Sequence, residues 1–451
     1  MRITLEPPED ARQDRTGTPM PFETPAAARQ RIAVIGGGIS GMAAARLLSA
    51  ENAVTLYESE PRLGGHARTV IAGKRGDQPV DTGFIVFNRV NYPHLVRLFE
   101  QLDVPVADSN MSFGASLDGG RIEYALRNLD AIFTQRRNAL NPRFLRMLID
   151  VLRFNARAVE IARDPAMTVR DFLRVLGAGS WFRDYYLLPL SGAIWSTPVE
   201  NILDFPAAAM IRFFENHALL SASGQHKWFT VRGGSVQYVR RLEVALRRAG
   251  VEIHTGAPVA AVRRPIAGGV EVRPAGGVWE SFDQVVLATH SDDALRLLAD
   301  PSPAERAALG KIRYQPNQAV LHADPALMPR NRKAWASWVY CEAAGKRSAR
   351  IDLTYWMNSL QPIPKDDPLF VTLNTTRPID ERLIHDVVTF RHPVYDLAAL
   401  QGQAEVRAMN GARGTWFCGA WMKNGFHEDG FASAVDVVDA LRVRPAPLVA
   451  A

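Results

Sequence analysis

Cysteine is nearly absent from this sequence. Cys341 and Cys418 are the only two in 451 residues, far apart and without paired His/Cys spacing, so neither a disulfide framework nor a zinc site is expected. Long apolar runs are missing too. The longest uncharged stretch near the middle, Tyr185 to Val199, falls short of the ~20 apolar residues of a bilayer span and is interrupted by Pro189, Gly192 and Pro198. Residues 1–30 mix Glu, Asp, Arg and Pro without an apolar segment, which reads as a mobile leader and gives a cytoplasmic address. Charge of one sign is scarce: 53 Lys and Arg against 47 Asp and Glu leave +6. No base-reading motif accompanies that excess, so nucleic acid is not an expected partner. What remains, 47% hydrophobic and 22% charged residues, describes a soluble globular chain. At roughly 100–200 residues per domain it holds about two or three domains, which excludes a small binding module.

What is present begins at Arg31. RIAVIG is a short β-branched run, followed by Gly36-Gly37-Gly38-Ile39-Ser40-Gly41 and then MAAARLLSA, which has high helix propensity. Gly36, Gly38 and Gly41 satisfy the G-x-G-x-x-G pattern: tight turn, close approach of a pyrophosphate, close packing of helix on strand. The helix N-terminus offers amides and a positive dipole to phosphates. The next strand, AVTLYE, ends at Glu58, 22 residues beyond Gly36, where a carboxylate meets ribose hydroxyls and favours an unphosphorylated ribose. A plain strand–helix turn is the bland alternative for the glycines alone. A second glycine pair, Gly64-Gly65, follows where a loop can pass close to a diphosphate, and no second fingerprint provides a nicotinamide domain.

The stretch IAVIGGGISGMAAARLL…VTLYESEPRLGGHART resembles the N-terminus of the flavin amine oxidase and phytoene desaturase superfamily. FTVRGGSVQYVRRLEVAL with VEIHTGAPVAAVRR and FDQVVLATH resembles that family's second FAD segment, and TWFCGAWMKNGFHEDGFASAVDVVDALR its last. The resemblance implies an α/β fold: a Rossmann-type FAD-binding domain (31–87, 225–299 and 405–442) interleaved with a mixed helical and sheet substrate domain (88–224 and 300–404), then a tail at 443–451. It implies FAD contacts from Gly36, Gly38, Ile39, Ser40, Gly41, Glu58, Gly64, Gly65, His66, Ala67, Thr82, Gly83 and Phe84. Further contacts are implied from Val259, Ala288, Thr289, Gly419, Gly430, Phe431 and Ala434, with a strand ending at Gly419 and a helix starting near Gly430. His66 stands where the family often has Arg. Ala420 and Trp421 stand where it often has an acid, which leaves ribityl contacts to Glu428 or Asp429. Cys418 is not placed for a covalent link, so noncovalent FAD is expected and no metal.

VDTGFIVFNRVNYPHLVRLFEQLDV, SGAIWSTP, FFENHALLSASGQHKWFTVRGGS, TYWMNSLQ and NGFHEDGF resemble one bacterial branch of the superfamily. The function that branch implies is desaturation of methylated, already unsaturated, phospholipid-bound fatty acyl chains on the way to furan fatty acids, beside a lipid methyltransferase. The candidate base is His427 or Glu428, with His66 and Tyr355 behind them, since an imidazole near its ordinary pKa of about 6.5 suits proton transfer. Trp195, Trp338 and Tyr355 are candidate walls of an apolar substrate tunnel. Two rivals stay open: oxidation of a soluble amine with Lys311 holding a water, and a flavin-binding scaffold that assists the methyltransferase without turnover.

Between Arg121 and Arg170 ten arginines face five acids. NPRFLRMLIDVLRFNARAVEIARD within this stretch reads as a helix with polar positions 143, 146, 150, 153, 157, 160 and 164, and with Phe144, Leu148, Val151, Leu152 and Val159 on other faces. A solvated helix face is the bland reading. The sharper one is a surface docking on anionic lipid at the inner membrane.

Overall fold

The β-branched runs Arg31–Ile35 and Ala53–Tyr57 lie parallel, side by side, in a five-stranded sheet. The computed structural model describes residues 29–195, 197, 199–221, 224–345 and 351–443; the expected leader and tail lie outside these, apart from residues 29, 30 and 443. The strand order is Glu252–His254, Ala53–Tyr57, Arg31–Ile35, Gln284–Leu287, Thr415–Phe417, every pair parallel. Ile32, Ala33 and Val34 are fully buried, as a strand covered on both faces requires. The helices Ile39–Leu48 and His427–Val443 pack on each other beside this sheet. A three-stranded antiparallel sheet, Val259–Arg263, Val270–Pro274 and Glu280–Phe282, precedes the fourth strand.

The other large sheet has seven strands, in the order Ile384–Val394, Arg313–His322, Phe370–Leu373, Leu353–Trp356, Trp338–Cys341, Phe113–Leu117, Ile122–Ala125. Only the pair Trp338–Cys341 and Phe113–Leu117 is parallel. Its core is shared with helices that include Pro142–Ile161, Val169–Leu176, Leu188–Trp195 and Ala207–Asn216, where Phe144, Phe154, Phe172, Phe182 and Phe214 are fully buried.

The helix Pro142–Ile161 starts where the sequence marks it: the Asn141 side chain accepts from the amides of Arg143 and Phe144, with proline at the first turn. Its faces differ from the expectation. Phe144, Met147, Phe154 and Ala158 turn inward, and so does Asp150, which accepts from the Gly179 amide at 2.9 Å and from Arg146 at 3.2 Å. Leu152 and Val159, read from the sequence as lying off the polar face, are 64% and 47% exposed. Phe144 packs on Tyr124 and Phe133, and Phe154 on Phe172, Phe182 and Phe214, which fixes the rotation of the whole helix; 3.6-residue geometry then carries Leu152 and Val159 outward.

One buried carboxylate ties separated segments together. Asp81 accepts from the Ser235 amide (2.8 Å) and hydroxyl (2.7 Å), the Thr69 hydroxyl (2.6 Å) and the Gln361 side-chain amide (3.0 Å). Burial pushes it up to about 6.

Candidate active site

Gly36 sits at φ +107°, and a side chain there would meet the Ala288 carbonyl oxygen at 2.8 Å. Gly41 packs its helix against the turn so closely that a Cβ would lie 1.8 Å from the Gly36 carbonyl oxygen. Gly38 differs from both: a Cβ built on it meets no protein atom within 4 Å. It begins the helix Ile39–Leu48 with no side-chain cap and no acid in the first turn. The N-terminal amides of that helix are therefore left for an anion.

Opposite this turn, the Gly64 amide donates to the Gly37 carbonyl at 2.8 Å, and Gly65 brings its backbone against Gly38. Two glycine pairs thus face each other with no side chain between them. Glu58 closes one end, accepting from the Gly37 amide at 2.6 Å and the Glu60 amide at 2.8 Å. Gly83 brings Thr82 and Phe84 alongside, where a Cβ would fall 2.0 Å from the His66 carbonyl oxygen.

A cavity of about 470 Å³ runs from this cradle into the seven-stranded sheet, within the roughly 300–1,000 Å³ of ligand pockets. Gly36, Gly38, Ile39, Ser40, Glu58, Gly64, Gly65, His66, Thr82, Gly83, Phe84, Ala288, Thr289, Gly419 and His427 all line it, as do Trp195, Trp338 and Tyr355. The last three come from a helix and two paired strands, with Trp338 and Tyr355 directly opposite each other and their rings 5.5 Å apart. The far half is apolar: Met111, Ile194, Phe213, Leu219, Leu373 and Phe390 line it.

Seven expected residues do not line the cavity, and neither does Asp429, the alternative to Glu428. Gly41 and Ala67 act behind the cradle, the first in the helix–strand contact and the second as an acceptor for Arg62. Val259 begins the antiparallel sheet and packs, partly buried, against the core cluster that holds Tyr57 and Phe282. Gly430, Phe431 and Ala434 belong to the seam between the C-terminal helix and the helix Ile39–Leu48, where a Cβ on Gly430 would meet Ile39 and Ser40 at 2.8 Å. The reason is a shift in helix start. The C-terminal helix begins at His427, not near Gly430, so Asn424, Gly425, Phe426 and His427 hold the cavity end.

Glu428 is the seventh, and its role differs most from expectation. Its carboxylate accepts from the amides of His94 (2.9 Å) and Leu95 (3.0 Å), capping the helix Pro93–Gln101. Burial pushes it up to about 7 against the pull of those amides.

The sequence profile of the flavin-containing amine oxidoreductases matches residues 39–330, well over half of the chain. The chain belongs to this family. Among solved structures, a conjugated-linoleic-acid-producing fatty acid isomerase from P. acnes superimposes with TM-score 0.66 at 15% identity, over 92% of this chain and 99% of that one. Cyclohexylamine oxidase from Brevibacterium oxydans IH-35A gives 0.65 at 14% identity, over 92% and 100%. Reduced UDP-galactopyranose mutase gives 0.65 at 15%, over 93% and 97%. At such identities these structures share the fold. No curated protein matched the sequence.

This member of the family is an FAD-dependent oxidoreductase, and its cradle fits the cofactor. The uncapped helix end and glycine walls suit a diphosphate, Glu58 suits a ribose, and His66 Nε2 is buried with no hydrogen-bond partner among the described residues. Cys418 is fully buried in the core and does not line the cavity, so FAD is held without a thioether. Where the family often has an acid, Trp421 lies over Gly419 and donates its indole N–H to the Thr289 carbonyl at 2.9 Å.

The chain surrounds its cavity with uncharged imidazoles. Burial lowers His66, His217 and His290 to about 4 and His392 and His427 to about 3. His427 stacks on Phe84 at 4.0 Å and shares a 2.6 Å hydrogen bond with Tyr238. It is therefore neutral at ordinary pH, and the near-neutral pKa that favoured it as a proton acceptor in the sequence is absent. His66 lies against Phe390 (4.9 Å), His392 (5.6 Å) and His290 (6.0 Å). Phe390 and His392 sit on the strand Ile384–Val394, more than 300 residues from His66, and no local pattern marks them. His290, Asp292 and Asp293 come within ligand distance of one another, but both carboxylates pair with Arg391. Lys311 pairs with Glu405 and does not line the cavity.

Proposed function

We propose that this enzyme desaturates a methyl-branched, already unsaturated fatty acyl chain, presented on a phospholipid, in the formation of furan fatty acids. The observation that carries the reading is the character of the far half of the cavity. Aromatic and aliphatic side chains line it, and among the described residues no lysine does. The two carboxylates in the lining serve elsewhere: Glu58 binds backbone amides in the cradle, and Asp293 pairs with Arg391 and Arg296. An ammonium substrate would find no free carboxylate there, whereas an acyl chain gains about 0.8 kcal/mol for each buried CH₂.

FAD, when bound, supplies the two-electron hydride acceptor that removal of two hydrogens from a CH–CH unit requires. The chain's residues do the rest. Trp195, Trp338, Phe213 and Phe390 hold the acyl chain in one orientation and exclude water. The His427 imidazole, fixed by Tyr238 and Phe84, offers a neutral hydrogen-bonding edge at the junction of cradle and tunnel. With His427 lowered to about 3, the ring is a weak acceptor that does not keep a proton at ordinary pH, and the released proton ends in bulk solvent outside the tunnel. No helix among the described residues is long and apolar enough to cross a membrane, so the lipid must reach the cavity from a surface.

The test is anaerobic mixing of the FAD-loaded protein with methylated phospholipid or with a panel of amines, following loss of the oxidised flavin band. Bleaching by the lipid supports desaturation. Bleaching by amines alone would replace it with amine oxidation, and bleaching by neither would favour a scaffold that assists a methyltransferase.

A further inference from the structure

The helix Pro142–Ile161 has two apolar faces, and only one is used by the fold. The outer one carries Leu145, Ile149, Leu152 and Val159, which are 38%, 60%, 64% and 47% exposed. Their spacing of four, three and seven residues sets them along one stripe over four turns. Leu140, just before the helix, is 88% exposed. A helix on the surface of a soluble protein ordinarily shows polar residues there, and a contiguous exposed apolar stripe rimmed by charge marks an interaction surface.

Arginines rim this stripe. Arg146, Arg153 and Arg157 follow one side of it at helical spacing. Arg146 reaches Asp150 and Arg153 the Gly177 carbonyl, while Arg143, Arg157 and Arg163 form no ion pair among the described residues. The helix has two acids, and Asp150 is turned inward, its side chain 1% exposed. The outer face is therefore apolar with a net positive rim, Glu160 being the one exposed acid of the helix.

We propose that this face docks on an anionic phospholipid bilayer, the leucine and isoleucine side chains entering the headgroup–acyl boundary and the arginines meeting lipid phosphates. Charge decides between occupants. A second copy of the chain joined by a two-fold axis would set this face against itself and bring like-charged arginines together. An anionic lipid surface matches both the stripe and its rim. The inner face of the same helix packs on the helix Ala207–Asn216, whose Phe213 lines the cavity. Docking would thus hold the apolar half of the cavity one helix layer from the lipid. The purpose of the face rests on the lipid reading, but its occupancy is measured without turnover.

The experiment is vesicle flotation of the FAD-loaded full chain, with phosphatidylcholine alone and with about one-third phosphatidylglycerol. Wild type is expected to float with the anionic vesicles, much less with the neutral ones, and to be released by high salt. R153Q and R157Q should each weaken anionic binding about fivefold, and I149S with L152S at least about tenfold, with FAD content and melting temperature unchanged. Unchanged vesicle binding in R153Q, R157Q and I149S/L152S alike overturns the proposal. So does conversion of a dimer to a monomer by I149S/L152S with vesicle binding intact, which assigns the face to self-association. Detergent-dispersed methylated lipid separates the two readings. If it reduces the flavin of a wild type that does not float, docking falls and the lipid reading stands. If wild type floats and no lipid reduces it, docking stands and the lipid reading falls.

Discussion

Replacing Gly38 by alanine should separate folding from cofactor capture. Gly38 lies at φ −72° and ψ −176°, where alanine is unstrained, and a Cβ there meets no protein atom within 4 Å. Loss of glycine's preference over alanine at a helix N-cap costs about 0.5–1 kcal/mol, and the less flexible unfolded chain offsets about 0.4–1 kcal/mol. The FAD-free variant should therefore match wild type within about 1 kcal/mol. The added methyl projects into the cavity beside the uncapped helix end. Forcing a methyl into a filled site costs about 1–3 kcal/mol, which weakens FAD about five- to 150-fold. The assay is titration of FAD into deflavinated protein, followed by flavin fluorescence, with a parallel urea melt. Gly41→Ala and Gly83→Ala supply the contrast: their Cβ atoms would lie 1.8 and 2.0 Å from backbone oxygens, so they should fail in the melt first. Wild-type FAD affinity in Gly38→Ala would refute the assignment of the cradle, and collapse of its FAD-free form would refute the open geometry of the turn.

Four further outcomes follow from the site. His427→Gln should slow single-turnover flavin reduction less than about tenfold, because a ring at about 3 is a weak proton acceptor; a loss of about a hundredfold or more would restore it as the base. Glu428→Ala should leave two buried helix amides unpaired and cost about 1–3 kcal/mol in a urea melt while leaving the flavin reduction rate near wild type; a large loss of rate at unchanged stability would return Glu428 to the chemistry. Trp195→Phe and Trp338→Phe should raise the lipid concentration for half-maximal flavin reduction about two- to tenfold at unchanged FAD content, and equal effects on a short soluble amine would argue against a tunnel.

The fourth concerns pH. Six buried histidines are lowered to about 3 or 4, and they take up protons on unfolding below about pH 6.5. Asp81, Asp429 and Glu428 are raised to about 6, 6 and 7, and they release protons on unfolding above their ordinary range. Between about pH 5 and 6.5 the histidines prevail by about three protons, so stability should fall as pH falls, by up to about 4 kcal/mol per unit. Urea midpoints of FAD-free protein across that range check this, and a midpoint that rises toward pH 5 would refute it.

The cradle was legible because its geometry selects residue types: a positive φ at Gly36 and the near contact of Gly41 with the strand leave room for glycine alone. Glu58 was legible through its distance from that turn. The C-terminal end was less so. His-Glu-Asp at the start of a helix reads equally as chemistry or as capping, and in the structure Glu428 caps a neighbouring helix while Asp429 accepts from the Phe426 amide. That brought the helix start forward and carried Gly430 and Phe431 into the core. His290, Phe390 and His392 were not picked out because a cavity gathers side chains across sheet pairings, and the alternation of the strand Ile384–Val394 tells which residues share a face but not what lies opposite. On the arginine helix, the inward turn of Asp150 and the outward turn of Leu152 and Val159 were not legible for a related reason: apolar residues on both sides of a helix give no sequence signal for which side the phenylalanines choose.

The five-stranded sheet has a consequence for synthesis. Its strands Arg31–Ile35 and Ala53–Tyr57 leave the ribosome early, but Thr415–Phe417, which covers the edge of Gln284–Leu287, arrives only near the end. At about 5–20 residues per second the wait from the second strand to the last is roughly 20–70 s. Through that interval the nascent chain carries an uncovered strand edge and lacks His427 and the rest of the C-terminal helix, so the flavin site cannot close until translation is nearly complete. Shortages of free flavin should therefore act on finished chains awaiting cofactor rather than on chains still being made.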